Sequence, residues 1–167
     1  MSDAAVAALI DKQAISDVVL SYCRGIDRLD LDLVRACFHP DATDHHGSFS
    51  GTVDEFIHWV GGLLDSYDMT FHCVGNLLIE LDGDRARAET YGVAAHRRAG
   101  GEDRNNLTTG FRYIDDFERR TDRQWRIARR VAVTEWSRVD RQSDWWPVPK
   151  TFEHGRRDRS DALYRDR

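Results

Sequence analysis

The apolar residues of this chain change period once, and that change restricts the fold more than any other feature. Up to about residue 64 they recur at helical spacing, and from Met69 they alternate. Val6, Ile10, Ala14, Val18, Tyr22 and Ile26 recur every four residues, with Leu9, Ile15 and Val19 widening the stripe. This predicts a helix over residues 3–27, capped by Ser2 or Asp3. A short helix over 31–38 follows, with Asp30 as N-cap and Pro40 as its stop. Thr52 caps a third helix over 53–66, whose Phe56, Ile57, Val60 and Leu64 share a side. Residues 42–50 read only as a short strand ending near Gly51.

After the change the chain reads as four long strands. The first starts at Met69 and ends at an Asp82-Gly83 turn, and the second covers 85–96. A loop over 97–106 contains Gly100-Gly101, and strands over 107–119 and 125–136 complete the set. On the first strand Met69, Phe71, Cys73, Leu77, Ile79 and Leu81 form an apolar face, leaving Thr70, His72, Asn76 and Glu80 on the other. Helices followed by antiparallel hairpins predict an α+β domain with helices packed on one face of a curved sheet. Residues 137–167 differ: Trp145-Trp146-Pro147-Val148-Pro149 is aromatic and irregular, and the end is charged.

Composition narrows the function. A length of 167 residues suits one domain, and 29 acidic against 24 basic side chains give a net charge of −5. No overall basic field therefore exists to hold nucleic acid or an anionic membrane. No apolar run approaches the ~20 residues of a membrane span. The N-terminus lacks a basic region followed by an apolar stretch, so the expected location is the cytoplasm. Cys23, Cys37 and Cys73 are odd in number and widely spaced, matching neither a disulfide framework nor a zinc site. His45-His46 would point to opposite faces of a strand, and no phosphate-binding glycine loop is present. The expectation is no metal and no cofactor.

Three residues stand out for chemistry. His72 lies in an otherwise apolar strand, in phase with Thr70 and Asn76; it reads either as a base lining a cavity or as an imidazole bonded to a neighbour. Asp27 ends the first helix, where it either orients an imidazole or is an ordinary solvated carboxylate. Arg130 alternates with Thr134 on the more polar side of the last strand. It reads as an anion-stabilising guanidinium or as one more surface arginine, since six of the twelve residues from Arg119 to Arg130 are Arg. Asp115, Asp116, Glu118 and Asp122 beside that run argue against nucleic acid.

Four stretches carry a resemblance. Tyr22-Cys23-Arg24-Gly25-Ile26-Asp27-Arg28, Cys37-Phe38-His39-Pro40-Asp41-Ala42, Thr70-Phe71-His72-Cys73-Val74-Gly75-Asn76, and Phe117-Glu118-Arg119-Arg120 before Trp125-Arg126-Ile127 resemble the SnoaL-like branch of the nuclear-transport-factor-2-like superfamily. The likeness spans roughly residues 5–136. It implies a domain over 1–136, a cone-shaped curved antiparallel sheet wrapped around the N-terminal helices (a cystatin-like roll), and a tail over 137–167 that packs on the pocket or on a neighbouring subunit. The site pattern is most similar to scytalone dehydratase, hexachlorocyclohexane dehydrochlorinase and bile-acid dehydratase, which are cofactor-free lyases. By that resemblance His72 and Asp27 form a general-base dyad assisted by Tyr22 and Arg130. Thr70, Asn76, Thr109, Tyr113 and Thr134 then line the pocket. The implied function is elimination or isomerisation of a small apolar cyclic compound by a homo-oligomer, trimer first and dimer second. The alternative is a binding protein without chemistry, or the small subunit of a ring-hydroxylating dioxygenase.

Overall fold

The computed structural model describes residues 2–98, 105–145 and 147–165. Gly100-Gly101 of the expected loop and Trp146 lie outside them. Helix α1 spans Asp3–Arg28 and α2 spans Leu31–Ala36. Strands β1 (Phe38–His46) and β2 (Phe49–Thr52) precede α3 (Val53–Leu64). Strands β3 (Met69–Asp82), β4 (Arg85–Arg97), β5 (Asn105–Arg119) and β6 (Trp125–Arg141) follow. The six strands form one sheet in the order β2-β1-β6-β5-β4-β3. The α+β class and the curved sheet with helices on one side are as expected. One pair departs from the antiparallel rule, because β1 runs parallel to β6.

The caps form where the sequence places them. The Ser2 hydroxyl accepts from the Ala5 N–H, and Asp30 accepts from the Leu33 N–H. Thr52 and Glu55 make a reciprocal capping box on α3. Helix α1 ends with Leu29 in the left-handed region (φ 54°) and the Asp30 N–H donating 2.8 Å to the Gly25 carbonyl. Gly25 is required there: a Cβ would fall 2.6 Å from the Val34 side chain, so only glycine lets α1 and α2 meet this closely.

The region before α3 corrects the sequence reading. Helix α2 stops at Ala36, two residues short of the expected end, and residues 38–52 form two strands around a turn at Gly47. Pro40 sits inside β1, within the stretch where the β1–β6 register shifts between Phe38 and Thr43. Such an irregularity tolerates a residue with no N–H to donate.

Bulges correct the strand faces. Between Val74 and Leu77 an extra residue on β3 shifts the pairing with β4. Before it Thr70 and His72 face the helices while Phe71 and Cys73 are exposed; after it Leu77, Ile79 and Leu81 turn inward. The polar and apolar sets therefore share one concave face. On β6 the register shifts once opposite Asp116/Phe117 and again opposite Gly110/Phe111, with Ala128 and Glu135 as the extra residues. Trp125 and Ile127 thus share the inner face with Arg130 and Ala132 instead of opposing them.

The core lies between this face and the helices. Ile15, Val19, Tyr22 and Ile26 of α1 and Phe56, Val60 and Leu64 of α3 are buried against it. Alanines at 86, 88 and 94 keep β4 thin enough for close approach. The tail packs where α1 and α3 end. Arg28 donates to the Arg156 carbonyl (2.8 Å) and to Asp161, and Arg157 donates to the carbonyls of Leu64 and Tyr67. No helix among the described residues is long and apolar enough to cross a membrane.

Candidate active site

Asp27 and His72 meet, although 45 residues separate them. Strand β3 is a sheet edge, so half of its backbone N–H groups have no strand to pair with. Asp27, on the last turn of α1, covers that edge at His72. Its Oδ2 accepts from the His72 backbone N–H at 2.8 Å, and its Oδ1 lies 2.7 Å from Nδ1 of the same residue. The two contacts fix both the position and the rotation of the ring. A carboxylate accepting from Nδ1–H places the ring's lone pair on Nε2, the atom left to meet a substrate proton. Both side chains are largely buried, at 7% and 9% exposure, which rules out the solvated-carboxylate reading of Asp27.

The inner face continues from His72 as a wall of rings. His72 meets Phe111 edge-on at 5.9 Å, Phe111 lies 4.5 Å from Tyr113, and Tyr113 meets Tyr22 edge-on at 5.6 Å. Gly92, the ladder partner of Phe111, makes room for that ring, since a Cβ would lie 2.5 Å from it. At the end of this wall sits Arg130, fully buried between Tyr22 and Tyr113, its Cζ 4.0 Å from each ring centroid. Asp115 binds it bidentately, with both N···O distances 2.7 Å. Burial by itself disfavours the Arg130 cation, but Asp115 and the two phenol rings outweigh it and hold the guanidinium charged. Burial pushes the Asp115 carboxyl up, opposed by Arg130. It pushes the Tyr22 and Tyr113 phenols above their usual range, so both are O–H donors at neutral pH.

The predicted residues therefore divide. His72 and Asp27 form a pair, Tyr22 and Arg130 form a second cluster, and the aromatic wall joins the two. Thr70 is buried and in phase with His72, Thr109 pairs with Ala94 in phase with Tyr113, and Tyr113 is itself buried. Thr134 is in phase with Arg130, opposite Phe111, but exposed. Asn76 does not belong to this face. It lies within the β3 bulge, is exposed, and lines an outer groove with Cys73, Tyr91 and Trp136.

Three inner groups escaped the sequence reading. Asp115 stands among surface acids in the sequence, yet it is the buried counter-ion of Arg130, two residues from Tyr113 in strict alternation. That alternation was the available signal. His96, whose ring lies 5.8 Å from that of His72, and Asp44, buried on β1, were not singled out at all. Burial, then the neighbouring His72, lowers the His96 pKa to about 4. Oγ1 of Thr70 and of Thr90, Nδ1 of His96 and Nη1 of Arg130 are buried with no hydrogen-bond partner among the described residues. An apolar core has no use for such atoms on its inner face, whereas a site for a partly polar guest does.

The comparisons with known proteins agree with this fold. The family model described as SnoaL-like domain matches residues 7–131. An uncharacterized protein of Mycobacterium tuberculosis (strain H37Rv) is 32% identical over 130 residues, covering 75% of this chain and 86% of the relative. Among solved structures, a candidate scytalone dehydratase of Novosphingobium aromaticivorans superposes with a TM-score of 0.72 at 21% identity, covering 85% of this chain and 91% of its own. The hexachlorocyclohexane dehydrochlorinase of Novosphingobium barchaimii gives a TM-score of 0.72 at 16% identity, covering 85% and 97%. At these identities the structural likeness establishes a shared fold.

Two predictions follow from the buried charges. Asp115→Asn leaves the Arg130 guanidinium without its counter-charge and costs about 3–5 kcal/mol in urea unfolding, because a buried ion is left unpaired. The double substitution Asp115→Leu with Arg130→Met costs less than Asp115→Asn alone; a larger loss refutes the pairing. His96 gives the second. Its folded pKa of about 4 lies below the 6.5 of a free imidazole, so between these values the unfolded chain binds more protons. Stability falls as pH drops through that window, and His96→Phe flattens the slope of melting temperature against pH.

Proposed function

The chain belongs to the SnoaL-like domain family, and on that premise we propose that it is a cofactor-free lyase or isomerase acting on a small cyclic compound. One observation carries the reading: Asp27 grips His72 by both its backbone N–H and its Nδ1, at 2.8 and 2.7 Å. An ordinary structural histidine needs one partner, whereas this one is fixed in tautomer and direction. Nε2 then removes a proton next to a leaving group or carbonyl, and Asp27 stabilises the imidazolium that forms. Tyr22, kept as a phenol by burial, and the unpartnered Nη1 of Arg130 are the donors suited to a departing or enolate oxygen. The aromatic wall of Phe111 and Tyr113 suits a flat or ring-shaped apolar body. The relatives' printed activities, dehydration and dehydrochlorination, are both eliminations that a positioned base can start. No step needs a metal or cofactor.

The proposed assembly is a homo-oligomer of this chain, trimer before dimer, in the cytoplasm. Support comes from the outer sheet face, where Tyr91, Val93 and Trp136 are exposed, between 40% and 50%, around one shallow groove. The binding-only reading and the dioxygenase-subunit reading leave the second contact, to Nδ1 of His72, without a purpose, so we rank them second.

The test begins with a panel of ring ketones and activated cyclic alcohols, read by turnover. His72→Ala is expected to lose roughly 10²–10⁴-fold in kcat, the usual share of a positioned proton acceptor. Asp27→Asn loses activity as well, because an amide cannot balance the imidazolium, whereas the outward Asn76→Ala keeps it. Near-native turnover in both dyad variants would refute the chemistry and leave a binding protein. Light scattering of the purified chain is expected to give a multiple of 19.3 kDa at micromolar concentration, and a particle of 19.3 kDa refutes the assembly.

A further inference from the structure

The apolar stripe along α1 outruns the sheet that it packs on. Its Ile15, Val19, Tyr22 and Ile26 are buried, but Val6, Leu9 and Ile10 at its start are exposed, between 40% and 63%. Residues 2–10 are exposed throughout except Ala8, so more than two turns of helix stand without packing. Short helical stretches hold poorly in water unless an apolar face is covered. Leu20, another large apolar side chain of α1, is exposed as well.

These residues fall on one line. Val6, Ile10, Gln13, Asp17 and Leu20 are spaced alternately by four and three, which sets them along one face of the helix, and all are exposed. Asp3 and Arg24, exposed too, extend the line at its two ends. The line complements itself only when reversed. Turned end for end about Gln13, it sets Val6 against Leu20 and Asp3 beside Arg24, each twice. In the parallel sense Asp3, Asp17 and Arg24 would each meet its own like charge. The polar middle brings its own bond, because Gln13 donates to Asp17 at 2.8 Å. Asp3 and Arg24 cannot reach each other within one chain, since the helix between them spans roughly 31 Å. Beside Leu20 the line borders a groove of about 490 Å³ between α1 and β3, lined also by Arg24, Phe71 and Leu163, with Asp27 and His72 in its wall. Phe71 is exposed there.

We propose that two copies of this chain pair through α1, antiparallel about a two-fold axis near Gln13. Each lays its Val6, Leu9 and Ile10 over the groove at Leu20 and Phe71 of the other, and Asp3 of each meets Arg24 of the other. The occupant is a second copy, because one helix carries both the exposed apolar turns and the groove edge, and both members of the ion pair. This contact is separate from the outer sheet face and does not depend on the elimination chemistry. It covers the groove that Asp27 and His72 share, so each copy helps to close the other's dyad from water.

The experiment measures the mass of the purified full chain by analytical ultracentrifugation at micromolar concentration. A two-fold contact requires an even number of chains, so the wild-type mass is expected at an even multiple of 19.3 kDa. That is two chains if α1 pairs alone, and six if the outer face also joins three. Ile10→Asp halves this mass and leaves a cooperative melt in place, because the side chain lies outside the core. Arg24→Glu and Asp3→Arg each weaken the pairing roughly tenfold, since symmetry turns two exposed ion pairs into two like-charge contacts. The double substitution restores it, which a contact within one chain could not do. An odd multiple of 19.3 kDa, an Ile10→Asp chain of wild-type mass, or a double substitution no tighter than either single one overturns the pairing. A trimer indifferent to all of these variants removes this contact and keeps the assembly through the outer face.

Discussion

A charged guanidinium stands at the centre of this molecule, and the arrangement of the inner face depends on keeping it satisfied. Taking Arg130 out of water is tolerable only because Asp115 meets it with two hydrogen bonds and two phenol rings cover its faces. Those partners come from different elements: Tyr22 from α1, Tyr113 and Asp115 from β5, and Arg130 from β6. The register that sets Asp115 opposite Arg130 exists because Ala128 bulges out of β6 and shifts the phase of everything after it. Without that bulge the alternation from Trp125 and Ile127 would send Arg130 to the outside. One irregular residue thus decides whether the arginine is a core charge or a surface one.

The same logic links the sheet edge to the chemistry. An edge strand presents N–H groups that want acceptors, and α1 ends with an acceptor of the right reach. Asp27 meets that need at His72 and in doing so fixes the imidazole, so one carboxylate both covers the sheet edge and orients the ring proposed as the base. The left-handed turn at Leu29 and the close α1–α2 contact at Gly25 hold the helix end, and with it Asp27. Tail residues Arg156 and Asp161 accept hydrogen bonds from Arg28, the residue after Asp27, so a segment outside the family match still braces the helix end that carries Asp27.

Polar atoms on the inner face are unevenly served. Asp115 and Arg130 satisfy one another almost completely, and Asp27 spends both oxygens on His72. Asp44, His46, Thr70, Thr90 and His96 each keep at least one buried atom without a partner among the described residues. The satisfied groups hold geometry, and under the proposed function the unsatisfied ones are those left to meet a guest.

How much of this was legible beforehand follows from the range of each interaction. Helix starts, the change to strands at Met69, and the alternation that sets Thr70 with His72 and Thr109 with Tyr113 are local, because caps and periodicity act over a few residues. The sequence alone therefore determined the three helices and the four long strands, and the family motifs pointed to the dyad. It did not determine the strands over 38–52, where Pro40, Asp41 and two histidines mask a β pattern that pairing with β6 imposes. Nor did it determine which side Asn76 takes, since one extra residue reverses every side chain beyond it and leaves no mark in composition. The burial of Asp115 and of Asp44 was decided by tertiary structure alone. A charge can be left in the core only when a partner from elsewhere in the chain, or a ligand, comes to meet it, and spacing along one strand cannot say whether that happens.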